Sequence, residues 1–397
     1  MIAGTCADRF AAVREAFEEN FDRHGEVGAS VCVTVGGETV VDLWGGTVAG
    51  SGDDVAPWGP DTMTTVFSST KGAVALAAHV LVDAGEIDLD RLVTDYWPEF
   101  GAGGKERATV RMLLDHTVGV PAWREKVPKG EVYDFDAMAE RCAREAAFWE
   151  PGTRQGYHML SFGWLIGEVI RRVSGRSLGT FLREAVAEPS GADFWLGVPE
   201  SEEHRVAKVI PFLPDPASPS AFTAAIRADR AGIPALALLN QGGMNPNSRE
   251  SHAAEIGGGG GVSSGRGLAQ LYRRFGTGEA VGAATLARMG RVHAATERDA
   301  TLGVATRFAL GFMCSMDNRR RPDGFDRDSC LLSDTAFGHV GAGGSIGFCD
   351  PAEQLSMGYV MNRMGEGMLL NERGQGLVDA VYRSLGYRSN DSGAWRR

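Results

Sequence analysis

Between residues 69 and 84 the chain reads STKGAVALAAHVLVDA, a helix-length stretch that is apolar nearly all round. A helix with one apolar stripe can lie on a surface, but a helix without a polar face must be enclosed by protein on every side. The stretch falls short of the roughly 18 apolar residues of a membrane span, and no other run in the chain reaches that length. The remaining residues therefore have to wrap it. With 397 residues, 43% apolar and 23% charged, the material for a large core is present.

The wrapping elements are legible at both ends. Residues 29–35, a Gly36-Gly37 turn and residues 38–44 predict a β-hairpin. Residues 344–350, a turn at 350–353 and residues 355–361 predict a second strand pair, with 307–315 as a further strand of the same sheet. Phe10, Val13, Phe17 and Phe21 recur at helical spacing and predict a helix over the first 25 residues; a last helix is expected over 376–385. Between the ends, helices are predicted at 69–84, 108–116, 135–146, 159–173, 176–186 and 264–275, with irregular stretches at 187–262 and 315–336. The expected fold is α/β of the α+β type. An antiparallel sheet formed by both chain ends is flanked by terminal helices, and a mostly helical lobe lies in the middle. Residues 1–66 plus 300–397 make the sheet domain, residues 67–299 the helical one, and the active site is expected in the cleft between them.

Charge and cysteine usage narrow the function. Forty Lys and Arg against 51 Asp and Glu give a net charge of −11, which disfavours nucleic acid and anionic membranes as partners. The first 21 residues lack a basic segment followed by an apolar one, so no secretory signal is expected. Six scattered cysteines without a C-x-x-C pair point to reduced thiols in a cytoplasmic protein; no metal or other cofactor is expected, and no oligomeric state is assigned.

The central helix opens on Phe67-Ser68-Ser69-Thr70-Lys71. Ser68 and Lys71, three apart, share a helix face. A serine hydroxyl needs a base to become a nucleophile, and a lysine is a base only if burial or the helix dipole pulls its pKa well below about 10.4. The chain has five lysines against 35 arginines, and arginine cannot serve as a base. The alternative is a Ser N-cap with a Lys reaching to solvent. Tyr157 stands at the entrance of helix 159–173, where it can relay a proton if a nearby ammonium holds its pKa down; alternatively it is a half-buried aromatic. Residues 337–347, FGHVGAGGSIG, form a glycine-rich edge entering a strand, suited either to offering N–H groups to a substrate carbonyl or to close packing against a helix. Two G-x-S-x-G matches, at Ser263 and Ser345, lack the strand-before, helix-after context of a nucleophile elbow; capping suits Ser263 better. The glycine run 257–261 carries no nucleotide-binding pattern.

Taken in order, Ser68-x-x-Lys71, Tyr157 and His339-Val340-Gly341 resemble the serine β-lactamase and penicillin-recognising superfamily, in particular its class C β-lactamase-like branch. The wording around them (residues 67–71, 109–119, 151–158 and 338–345) is most similar to family VIII carboxylesterases. The resemblance spans roughly residues 7–388. It implies a β-lactamase/DD-peptidase-like fold, with Ser68 as acylated nucleophile and Lys71 with Tyr157 as base system. The backbone N–H groups of Ser68 and Ala342 would form the oxyanion hole, with His339 and Gly341 as the third motif. Two departures matter: Met159 stands where the lactamases carry Asn, and His339 where they carry Lys. A mostly neutral histidine is a weak anchor for a penicillin carboxylate. The resemblance therefore implies a serine hydrolase acting on short-chain, small-molecule esters. The alternatives are an acyltransferase on the same scaffold, an amide or β-lactam hydrolase, and a non-catalytic binding member.

Overall fold

Gly36 and Gly37 adopt φ of 58° and 84° in the computed structural model, the backbone that a two-residue hairpin turn demands and that only glycine takes without strain. The model describes residues 2–49, 55–217, 219–322 and 326–397. The turn joins β2 (Gly28–Val35) to β3 (Glu38–Gly46), and β1 (Ile2–Cys6) pairs with the outer edge of β3. From the far end of the chain come β4 (Phe337–Val340), β5 (Ile346–Asp350) and β6 (Leu355–Met361). All pairs are antiparallel, in the spatial order β1-β3-β2-β6-β5-β4. The two chain ends meet along β2 and β6, from Val35 opposite Leu355 to Ala29 opposite Met361.

Side-chain alternation divides the sheet into two faces. Val31, Val33, Leu43, Phe348, Met357 and Tyr359 pack against α1 (Ala11–Arg23) and α6 (Glu372–Ser384), which bring Val13, Phe17, Leu377 and Val381. The other face carries Gly347, Ser356 and Gly358 and receives α5 (Gly265–Gly276) at very short range. A Cβ on Gly358 would lie 2.2 Å from the Gly265 carbonyl oxygen, and one on Gly347 would lie 2.8 Å from the Tyr272 ring. Ser356 Oγ donates to the Ala269 carbonyl at 2.8 Å. α5 also carries Leu268, Leu271, Tyr272 and Phe275 into a second core, shared with α2 (Ser69–Asp83), α3 (Phe135–Arg144) and α4 (Ser161–Ser174). Every side chain from Ala73 to Ala78 of α2 is fully buried, as its composition requires. Among the described residues, no helix is long and apolar enough to cross a membrane.

Four local expectations need correction. Residues 2–6 are an edge strand, and the first long helix starts at Ala11; the strand is largely exposed and held by its ladder to β3, a long-range cause that helical spacing does not register. Residues 307–315 do not form a sheet strand: Thr306–Phe308 pairs with Ala294–Thr296, and the chain then bends at Gly311 (φ 88°), where a Cβ would lie 2.5 Å from Ala75 Cβ. Only Met313 makes a bridge to Gly338 on β4. The helix expected at 108–116 is confined to Val110–Leu114, and that at 176–186 is α-helical over Leu178–Leu182 before a π turn at Arg183–Ala187.

Replacing Gly358 by Val places a branched side chain where α5 touches the sheet. The expected loss of stability is about 2–3 kcal/mol, read from a lowered urea midpoint; an unchanged midpoint would mean that α5 does not rest on this strand.

Candidate active site

The start of α2 is set by strain just before it. Phe67 adopts φ 47°, a left-handed conformation that costs a non-glycine residue on the order of 1–3 kcal/mol. The chain then turns into the helix at Ser68, whose side chain makes no capping hydrogen bond. Its hydroxyl faces Lys71, with Nζ 3.0 Å from Oγ. Lys71 is fully buried, so the alternative of a capping serine with a solvent-seeking lysine does not describe this helix.

The Lys71 amine has two further partners, the carbonyl oxygens of Met159 and Gly258, each at 2.6 Å. Carbonyls only accept, so two of the amine's hydrogens are committed to them. The third direction points at a hydroxyl, which can itself donate. A neutral amine satisfies this geometry with its lone pair on the serine proton. Among the described residues no carboxylate pairs with Lys71, and burial holds its pKa well below the ordinary lysine value.

Three buried histidines surround this amine without adding charge. The His158 N–H donates to His116 Nδ1 at 3.2 Å, and the Val120 N–H donates to His158 Nε2 at 3.1 Å, so each ring keeps one nitrogen as an acceptor. Burial pushes His158 and His339 down to about 3 and His116 well below its usual value. His339 Nδ1 lies 2.7 Å from the Val340 carbonyl and donates to it as the neutral tautomer; Nε2 is buried without a partner.

Tyr157 is almost fully buried, stacked on Phe308 at 5.8 Å between ring centroids, with Lys71 Nζ 4.7 Å above its ring. The expectation that an ammonium would hold down its pKa is corrected here. The amine sits over the ring face, and burial pushes the phenol above its ordinary range, with the Ser68 hydroxyl pulling the other way. Among the described residues the phenol oxygen has no partner in hydrogen-bond geometry, and the Ser68 hydroxyl is the polar group beside it. The Tyr157 backbone is fixed by Asp299, whose two carboxylate oxygens accept its N–H at 2.9 and 3.0 Å and also take the N–H groups of Thr301 and Leu302.

The third segment reaches the same place from β4. A Cβ on Gly341 would lie 2.2 Å from both the Val66 carbonyl oxygen and Ser345 Oγ, so glycine is what lets this turn touch the entrance of α2. Ser345 Oγ donates to the Val66 carbonyl at 2.9 Å, and Ser69 Oγ donates to the His339 carbonyl at 3.2 Å. Beside this lacing, Ser68 and Ala342 are half-buried, and among the described residues neither N–H has a hydrogen-bond partner. Ser68, Lys71, Tyr157, His339, Gly341 and Ala342 thus converge from three chain segments, 68–71, 157 and 339–342.

Ser345 and Ser263 have structural partners. Ser263 Oγ donates to the Asp193 carbonyl, and it is Ser264 that caps α5 by accepting the Gly267 N–H at 3.0 Å. The glycine run 257–261 packs against the starts of α2 and α4: a Cβ on Gly258 would lie 2.3 Å from the Leu160 carbonyl oxygen. The carbonyls of Met159 and Gly258, His116 and Asp299 were not among the expected site residues. The glycine run marks a close approach in the sequence, and 299–303 has the composition of an Asx turn, but neither signal names Lys71 or Tyr157 as its partner. Among the described residues, no three His, Cys, Asp or Glu side chains cluster as a metal site.

A family model described as Beta-lactamase matches residues 13–381. The chain belongs to the beta-lactamase family. It is 33% identical to "Esterase/beta-lactamase LipL" of Mycobacterium tuberculosis (strain ATCC 25618 / H37Rv), over 91% of this chain and 83% of that protein. A crystal structure of a family VIII carboxylesterase matches with a TM-score of 0.84 at 37% identity, covering 97% of this chain and 100% of the other. EstA from Arthrobacter nitroguajacolicus Rue61a matches with a TM-score of 0.82 at 31% identity, covering 96% of this chain and 98% of its own.

Asp299→Ala would leave the buried N–H groups of Tyr157, Thr301 and Leu302 without an acceptor. The expected cost is about 3 kcal/mol, measured by chemical unfolding; a loss below about 1 kcal/mol would mean that water takes over the carboxylate's role.

Proposed function

We propose that this chain hydrolyses short-chain carboxylic esters through an acyl-enzyme on Ser68, with small-molecule esters as substrates. The contact of Lys71 Nζ with Ser68 Oγ carries this reading, because the amine is buried, has no carboxylate partner among the described residues and offers the serine its one uncommitted direction. In acylation the Ser68 proton passes to Lys71 while Oγ attacks the ester carbonyl. The oxyanion takes the N–H groups of Ser68 and Ala342, two donors held in place before the substrate arrives. Collapse expels the alcohol, which takes its proton from the Lys71 ammonium, with the neutral Tyr157 hydroxyl beside Ser68 as hydrogen-bond donor to the leaving oxygen. A water then attacks the acyl carbon and gives its proton to Lys71; the bond to Ser68 Oγ breaks, Oγ takes that proton, and the acid and free Ser68 are released.

The neutral His339 favours uncharged groups next to the scissile carbonyl, since it offers no cation to a carboxylate. The names of the relatives, carboxylesterase and esterase/beta-lactamase, support the same chemical class. We assign the substrate cleft to the junction of the sheet part (1–66 and 300–397) and the helical part (67–299). All six cysteines are free thiols, which supports a reducing, cytoplasmic setting.

Ser68→Ala is expected to lower p-nitrophenyl butyrate turnover by about 10⁴-fold and to abolish labelling by a fluorophosphonate. Normal turnover by that variant would refute the proposal. Lys71→Arg puts a permanent cation where the neutral amine stood and cannot accept the serine proton, and should cost about 10³-fold in kcat/KM.

The pH profile gives an independent check. Because burial depresses the folded-state pKa of Lys71, the base form persists to low pH, and activity is lost only as pH falls through that depressed value. An acid limb near 10.4, the ordinary lysine value, would contradict a buried base.

A further inference from the structure

The proposed oxyanion donor Ala342 sits in a four-residue turn, closed by the Gly344 N–H on the Gly341 carbonyl at 3.0 Å. One side of this turn is set by Gly341 against Val66. The other side is Gly343, whose carbonyl faces away from Ser68 and into the start of α6. It accepts the Gly365 N–H at 2.9 Å and Asn371 Nδ2 at 2.8 Å, with Arg373 Nη2 at 3.5 Å. Arg373 is itself fixed: Nη2 donates to the Arg363 carbonyl at 2.7 Å and Nη1 to Glu26 Oε1 at 2.7 Å. Glu26 also accepts a short hydrogen bond from the Tyr359 hydroxyl of β6. Both members of the Glu26–Arg373 pair are buried. The turn admits Asn371 because residue 344 is glycine, since a Cβ there would lie 2.4 Å from Asn371 Nδ2.

A buried ion pair is weak evidence for stability as such, because desolvation offsets most of the attraction. Its use here is geometric. Two side-chain donors and one backbone N–H converge on a single carbonyl oxygen, two residues beyond the Gly341–Ala342 peptide. A carbonyl held by three donors cannot rotate, and a turn of four residues has little freedom once both sides are pinned. We propose that Asn371, backed by the Arg373–Glu26 pair, is a positioning clamp that holds the 341–344 turn so that the Ala342 N–H points at the oxyanion. The proposal rests on the assignment of that N–H to the oxyanion hole above.

Asn371 offers a clean test, because its two side-chain atoms do different things. Its oxygen accepts the Gly374 N–H at 3.3 Å as the N-cap of α6, and its nitrogen holds Gly343. Asn371→Asp and Asn371→Ser both keep a capping oxygen and lose the donor to Gly343. With p-nitrophenyl butyrate, kcat is expected to fall about 10- to 100-fold in each, with KM changed less than about threefold, because a misaimed donor weakens the transition state more than substrate binding. The thermal midpoint should stay within about 4 °C of the unaltered protein. Arg373→Lys keeps a charge beside Glu26 and should lose less activity than Arg373→Met, a rescue that a merely structural role would not produce at equal midpoints. Glu168→Gln removes the charge of a buried carboxylate that pairs with the partly exposed Arg171 and Arg172 away from the turn, and should lower the midpoint without changing kcat.

If kcat in both Asn371 variants stays within twofold while Ser68 is still labelled by a fluorophosphonate, the clamp is refuted and the esterase reading stands. Should either Asn371 variant fail to fold, equal kcat in Arg373→Lys and Arg373→Met overturns the clamp on its own. A protein whose Ser68 is not labelled even without substitution overturns the assignment of the site and the clamp together.

Discussion

The site is organised around one amine in a place without water. Putting a lysine at the centre of a protein is costly unless it sheds its proton or finds acceptors for all three hydrogens. The chain contains both solutions. Lys105 is as buried as Lys71, and its Nζ faces three backbone carbonyls, those of Ala102, Ala143 and Glu145. That arrangement uses three hydrogens and suits an ammonium. Lys71 has two carbonyls and a hydroxyl, which suits an amine. The difference of one partner separates a structural cation from a base aimed at a nucleophile.

Much of the nearby architecture follows from keeping that amine dry and unpaired. The nearly all-apolar α2 presents no polar face for water to follow. The glycine run 257–261 lets a backbone carbonyl reach Nζ in a space no side chain would leave open. The three histidines around it, their pKa pushed down by burial, fill with close-packed rings the space where a carboxylate would stabilise the ammonium. The oxyanion side is built by the same kind of close approach. Gly341 brings β4 against Val66, and Ser69 and Ser345 lace the two segments, so the helix that carries the nucleophile and the turn that carries the second donor are one rigid unit.

The sequence makes local patterns visible and long-range partners invisible. The hairpin 28–46 and the strands 346–361 are readable because alternation and Gly36-Gly37 are local signals, and the antiparallel sheet of both chain ends follows from them. The edge strand Ile2–Cys6 is missed because the strand it pairs with, β3, lies far along the chain. Ser68 and Lys71 are found together because one helical turn fixes their relation wherever the helix lies. Asp299 is different: it holds the Tyr157 N–H across 142 positions, and an Asx-turn composition says nothing about which N–H it will reach. The tyrosine's surroundings were likewise out of reach, since whether an ammonium lies at a phenol's oxygen or over its face depends on packing alone. Met159 was noted for the side chain it lacks, while its carbonyl is what meets Lys71.

The central claim is that Lys71 is uncharged at working pH, and it can be measured without any substrate. With only five lysines in the chain, ¹³C labelling at Cε gives a spectrum simple enough to follow each amine through a pH titration, with Lys71 assigned by its loss in a substituted protein. The account predicts one resonance, that of Lys71, already in the neutral-amine position at pH 8. A Lys71 signal that still reports an ammonium there and titrates close to about 10.4, the ordinary lysine value, would contradict it.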